Sequence, residues 1–151
     1  MKSISTFLHE HKIDSQAKLG APADPTFDGS TGWTVTLSMG KKSMETPFYM
    51  GMYHKGTAPT TAMVLNSLIG DARGLEDTVD FKGWCNEYGD EGNDPDEPNA
   101  KKDARRIYAK VKSLSAKLKK FLGPATYRDA IDNVEPEYIS ALRSIGPTVS
   151  L

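Results

Sequence analysis

The sequence predicts an α+β domain in which a β-hairpin, about residues 33–53, packs against four to six helices, the longest spanning about 100–122. Three observations lead there. Trp33-Thr34-Val35-Thr36-Leu37-Ser38-Met39 alternates apolar and polar side chains without a break, the period of a half-buried strand. Ala104, Ile107, Val111, Leu114, Leu118, Phe121 and Leu122 recur every three or four residues, the period of one buried helix face. No second strand–helix–strand unit follows the hairpin, so nothing in the chain can build a parallel sheet.

Each element has its own signals. Behind a candidate N-cap at Ser3, Ile4, Phe7, Leu8 and His11 fall at helical spacing, which predicts a short docking helix over 4–12. Residues 14–32, rich in Ala, Pro, Gly, Asp and Ser, read as a loop. After the first strand, Gly40-Lys41-Lys42-Ser43 supplies a turn, and Met44, Phe48, Met50 and Met52 mark the second strand. Pro47 cannot donate a ladder hydrogen bond, so that strand should lie at an edge or be bulged there.

Pro59 opens a predicted helix to about residue 73 that buries Leu65, Leu68, Ile69 and Ala72, with Gly74 as its end. Asp80 is placed to cap a shorter helix whose Phe81, Trp84, Cys85 and Tyr88 share a side and read as core, with Gly89 terminating it. Residues 90–98 form an acidic, proline-containing loop before the long helix, which Gly123-Pro124 stops. One or two weaker helices, around 125–133 and 136–144, complete the reading. The 151 residues thus make one domain: the 4–12 helix, the 14–32 loop, a core over 33–123 and a helical segment over 124–151.

Composition bounds the function classes. Cys85 is the single cysteine, which excludes an intrachain disulfide framework. No run approaches the ~20 apolar residues of a membrane-spanning helix, and the first residues lack the apolar stretch of a signal peptide, so the expected location is the cytoplasm with no membrane partner. Net charge is −1, but it is unevenly distributed. Residues 1–99 carry 8 basic and 15 acidic side chains, residues 100–121 carry 9 and 1, and residues 122–151 carry 2 and 4.

The catalytic and metal motifs that spacing can reveal are missing. His9-Glu10-His11 looks metal-like, but side chains two apart on a helix point about 200° from each other, so the two histidines cannot hold one ion. His54 has no partner in sequence and reads as a surface or packing residue. Cys85 has Asn86 and Glu87 beside it rather than a base or a cation, so it reads as a small buried hydrophobe. Asp90, Asn93, Asp94 and Asp96 offer oxygen ligands for a hard cation but lack the calcium-loop pattern that ends in a bidentate Glu. There is no phosphate-binding glycine loop, CxxC pair, nucleophile elbow or dinucleotide fingerprint. The expectation is a non-enzyme with no cofactor and no metal.

The basic face of the long helix is the sharpest functional feature. Lys101, Lys102, Arg105, Arg106, Lys110, Lys112, Lys117, Lys119 and Lys120 fill the half of the wheel opposite the apolar stripe. Such a face docks an acidic protein or a nucleic-acid backbone, unless the chain's own acidic segments neutralise it. The exposed side interleaves few aromatics, which gives no support to base stacking or sequence readout.

In the order of its pieces, the stretch from about 33 to 123 resembles a family of small, mostly uncharacterised proteins encoded by bacteriophages and prophages. The resemblance rests on Trp33-Thr34-Val35-Thr36-Leu37, on Thr46-Pro47-Phe48-Tyr49-Met50-Gly51, and on Pro59 leading to Val64-Leu65 and Asp71-Ala72. It continues through Phe81-Lys82-Gly83-Trp84-Cys85-Asn86-Glu87-Tyr88-Gly89-Asp90, Ala104-Arg105-Arg106-Ile107-Tyr108 and Leu118-Lys119-Lys120-Phe121-Leu122-Gly123. From Glu91 to Asn99 the loop is longer and more acidic than in that family. The resemblance implies a phage origin, expression in the host cytoplasm and no catalytic residue to carry over. By analogy with small accessory phage proteins, it implies an inhibitor or modulator of a host protein or nucleoprotein complex, an anti-defence (anti-CRISPR-like) role among them. A non-specific nucleic-acid binder is the alternative, and an enzyme with an unrecognised site a third class. Oligomeric state is left open.

Overall fold

A computed structural model of the chain describes residues 1–27, 29–51, 56–88 and 98–135, with the backbone alone at 88 and 98–101. Its elements run α1 (Ile4–His11), β1 (Ile13–Leu19), a short 3-10 turn (Pro25–Phe27), β2 (Thr31–Met39), β3 (Lys42–Met50), α2 (Thr61–Glu76), α3 (Phe81–Tyr88), α4 (Pro98–Leu122) and α5 (Pro124–Asn133). This is an α+β fold with one antiparallel sheet in the order β1-β2-β3.

The sheet has one strand more than the hairpin read from the sequence. Residues 13–19, expected to lie largely within a loop, pair with β2 in the register Ile13↔Met39 to Leu19↔Trp33. Their inward positions after Ile13 are the small Ser15 and Ala17, because α2 comes close there and Ser15 hydrogen-bonds Thr61. Small side chains at those positions erase the apolar alternation that marks a strand.

The predicted hairpin is present. Gly40, at φ 62°, and Lys41 form a two-residue turn, with glycine at the first central position as a type II′ turn requires. Met39 and Lys42 close it, and the register continues through Leu37↔Met44, Val35↔Thr46 and Trp33↔Phe48. Trp33, Val35, Leu37, Met44, Thr46 and Met50 are buried on the inner face. β3 is an edge strand, as Pro47 predicted.

Helices cover that inner face. Thr60 caps α2 by accepting the Met63 N–H, so the helix starts at Thr61, two positions later than a start at Pro59. The helix runs through the buried Gly74 to Glu76 instead of ending at Gly74. Met63, Val64, Leu65, Leu68, Ile69 and Ala72 join Leu118, Phe121 and Leu122 of α4, Tyr127, Ala130 and Ile131 of α5, and Ile4 and Phe7 of α1 in one core. Gly123, at φ 82°, turns the chain out of α4, and Pro124 begins α5 at the first-turn position that suits proline.

α3 is capped as predicted, with Asp80 Oδ1 accepting the Gly83 N–H at 2.8 Å. Its aromatic side chains do not join the main core. Phe81 and Trp84 instead pack on Tyr108 of α4, with ring centroids 5.3 Å apart in both pairs, and Cys85 is half-buried. The Tyr88 side chain, the acidic loop over 90–97, His54, Met52 and the helix expected over 136–144 lie outside the described residues.

The two ends of the described chain meet. Lys2 forms a parallel bridge with Val134, donating its N–H to the Asn133 carbonyl at 2.7 Å and accepting the Glu135 N–H at 2.7 Å. Arg73 of α2 reaches the end of α5, donating to the carbonyls of Ile131 (2.8 Å), Ala130 (3.0 Å) and Val134. A guanidinium there satisfies carbonyls that a helix C-terminus leaves without intrahelical partners.

Candidate interaction surface on the basic helix

Leu114, Leu118, Phe121 and Leu122 of the predicted apolar stripe face the core, while Ala104, Ile107 and Val111 are half-buried outside it, and the cationic half of the helix turns outward. At about 100° per residue, the basic side chains divide into two flanks. Arg106, Lys110 and Lys117 lie on one, Arg105, Lys112 and Lys119 on the other, and Lys102 and Lys120 near the crest between them. The Lys101 side chain lies outside the described atoms.

Two of the nine sequence-predicted residues are engaged by the chain itself. The short turn at Pro25–Phe27 carries Asp24 to α4, where Oδ1 accepts from Arg106 Nη1 at 3.1 Å and Oδ2 from Lys110 Nζ at 2.7 Å. Asp103 takes two more Arg106 hydrogen bonds, at 3.1 and 2.9 Å, and Thr26 a fourth. The Lys110 ammonium also lies 5.5 Å from the Phe27 ring centroid and 5.0 Å from that of Tyr49. Those rings stack with centroids 4.6 Å apart, and Tyr49 hydroxyl donates to the Pro22 carbonyl at 2.6 Å. Burial of Asp24 opposes its ionisation, but hydrogen bonds from Lys110 and the Thr26 N–H outweigh it and hold the carboxyl well below its usual range. Arg106 and Lys110 therefore fasten the 20–27 loop to α4, and their charge is neutralised on the spot.

The other basic residues have no ion-pair partner among the described residues. Lys102, Arg105, Lys112, Lys117, Lys119 and Lys120 are all exposed. Arg105 lies over Phe81 at 5.2 Å, Lys112 over Tyr108 at 5.4 Å and Lys119 over Tyr127 at 5.8 Å, contacts that orient the side chains and leave their charge in place. Lys117 and Lys120 stand over a cleft of about 440 Å³ between the last turns of α4 and the start of β3, lined also by Lys42, Met44, Glu45 and Phe121. Lys42 comes from the hairpin turn, so this third cation was invisible to a reading confined to the helix.

The His9-Glu10-His11 motif acquires a partner from α5. Glu10, His11 and Asp129 bring their ligand atoms within 4.8 Å of one another, while His9 takes no part, in line with the helical geometry. The Lys2 ammonium already lies at that point, 2.6 Å from Glu10 Oε2 and 2.9 Å from Asp129 Oδ2, and His11 Nε2 is 3.1 Å from Asp129. The Lys2 ammonium and then the Asn133 amide hold the Asp129 carboxyl below its usual range. The cluster is an internal clasp between the N-terminal segment and α5. Cys85, expected to be a small buried hydrophobe, is half-buried, and burial pushes its thiol up against a smaller opposing effect of Arg105.

Comparison with known proteins adds no relative: no protein-family model matches the chain, and no curated protein or solved structure matches it either. No helix of the described residues is long and apolar enough to cross a membrane.

Proposed function

We propose that this chain is a non-enzymatic binding protein that acts in the cytoplasm by occupying a surface of a host protein or nucleoprotein complex, with the exposed cations of α4 as its contact. The observation that carries the reading is the row of Lys102, Arg105, Lys112, Lys117, Lys119 and Lys120, exposed and without ion-pair partners among the described residues, in a chain of net charge −1. Arg106 and Lys110 support that surface from within by anchoring the neighbouring loop. Exposed ion pairs contribute little to stability, whereas unpaired charge of one sign steers the approach of an oppositely charged partner. The phage resemblance extends the proposal to an inhibitor or modulator of host defence machinery.

The test is affinity capture from host lysate at moderate salt, with the wild type beside a variant carrying Lys102→Glu, Arg105→Glu, Lys112→Glu, Lys117→Glu and Lys120→Glu. A stoichiometric partner retained by the first and lost by the second is the expected result. No such partner, or equal retention by both, rejects the reading. A bare polyanion is the second candidate, favoured by the same unpaired lysines. It requires a nuclease-sensitive partner and a gel-shift affinity that falls steeply with salt.

A further inference from the structure

We propose that the cleft between α4 and β3 receives an extended, acidic segment of the partner protein, paired as an additional strand along the free edge of β3. This deepens the function proposed above by naming the chemistry of the partner at one site.

A two-residue turn makes Met39 and Lys42 a hydrogen-bonded pair, and such pairs alternate along an antiparallel ladder. Leu37↔Met44 and Val35↔Thr46 are therefore bonded pairs, while Ser38↔Ser43, Thr36↔Glu45 and Thr34↔Pro47 are not. In the second set the backbone N–H and C=O of β3 turn away from β2. Among the described residues no strand lies on that side, so Ser43 and Glu45 present their main-chain donors and acceptors at the mouth of the cleft. Pro47 fits the same pattern, since its missing N–H falls at an outward position where the ladder does not need it.

Charge selects the occupant. Lys42, Lys117 and Lys120 surround this edge against the single carboxylate of Glu45, and none of the three has an ion-pair partner among the described residues. Carboxylates projecting from an incoming strand can meet them, and an apolar side chain on the same strand can rest on Met44 and Phe121. Strand addition gains affinity from main-chain hydrogen bonds and selectivity from alternate side chains, so both halves of the recognition are at hand. A nucleic-acid backbone uses only half of them. Phosphates accept and do not donate, which leaves the edge carbonyls unmatched.

The probe is the acetylated, amidated peptide Asp-Glu-Leu-Asp-Glu, titrated into the full chain by fluorescence polarisation and by amide and methionine-methyl NMR. The expected shifts concentrate at Ser43, Met44, Glu45 and Lys117 to Phe121. Lys117→Glu and Lys120→Glu each weaken binding roughly tenfold, whereas Lys18→Glu, the same charge change on the opposite edge strand, leaves it unchanged. N-methylation of the central peptide amides preserves charge and removes strand pairing, and it is expected to abolish binding. Three results overturn the proposal: equal binding by the N-methylated peptide, equal weakening by Lys18→Glu, or stronger displacement by a thymidine pentanucleotide than by unlabelled peptide. If the peptide fails while the charge-reversed α4 variant still loses its captured partner, this site falls and the wider function stands. If capture fails as well, both fall.

Discussion

Asp24 is a single carboxylate that positions a whole loop. Its side chain is 8% exposed and sits between Arg106 and Lys110, with the Thr26 N–H bonded to the same oxygen that Arg106 reaches. Replacing it by Asn removes the charge that two partly exposed cations share, and we expect Asp24→Asn to cost about 1–3 kcal/mol in urea denaturation. The pH dependence follows from the sign of the shift. Asp24 and Asp129 titrate below the ordinary carboxyl value of 3.8 in the folded chain. Their contribution is therefore complete above that value and is lost as pH falls below it through the lowered folded values. Wild-type stability should decline through this acid window, and Asp24→Asn should decline less. An equal acid slope for the two proteins would show that Asp24 is not the group responsible. None of this was legible in the sequence, because Asp24 lies 82 residues from Arg106 and 86 from Lys110 and resembles any loop aspartate.

At the scale of elements, legibility depended on how each one is solvated. β2 could be read because its inner face is buried while Thr34 and Thr36 stay in contact with water, so burial and composition alternate together. The stripe of α4 was equally plain, with a wide apolar arc and a break at Gly123-Pro124. β1 was hidden because its packing partner demands small side chains. Arg73 was hidden for another reason: in sequence it reads as any polar helix residue, yet it donates to three carbonyls at the far end of α5. Arg73→Met keeps the apolar stem and removes those hydrogen bonds, and we expect a loss of about 2–4 kcal/mol. Hydrogen exchange checks the mechanism, since the amides of α5 should open well before those of β2 and β3. Loss of protection spread evenly over the sheet would contradict it.

Over the whole molecule, charge separation matters more than net charge. The candidate surface was partly legible, since the cationic helix announced itself while its division into engaged and unengaged members needed the fold. A cationic row without ion-pair partners among the described residues makes an orienting field, and its influence falls within about one Debye length, ~8 Å at physiological salt. Association with the captured partner is therefore predicted to slow by roughly tenfold or more between low and physiological ionic strength. Dissociation should change far less. Stopped-flow mixing at several salt concentrations measures both, and a rate insensitive to salt would place the contact elsewhere.

An open sheet border carries a hazard, because copies of the same chain can zip together along it and grow into aggregates. Pro47 interrupts that border midway, removing the one outward N–H between those of Glu45 and Tyr49. The lysines beside this stretch repel their counterparts on an identical molecule. One proline and three ammonium groups thus oppose pairing between two copies along this margin.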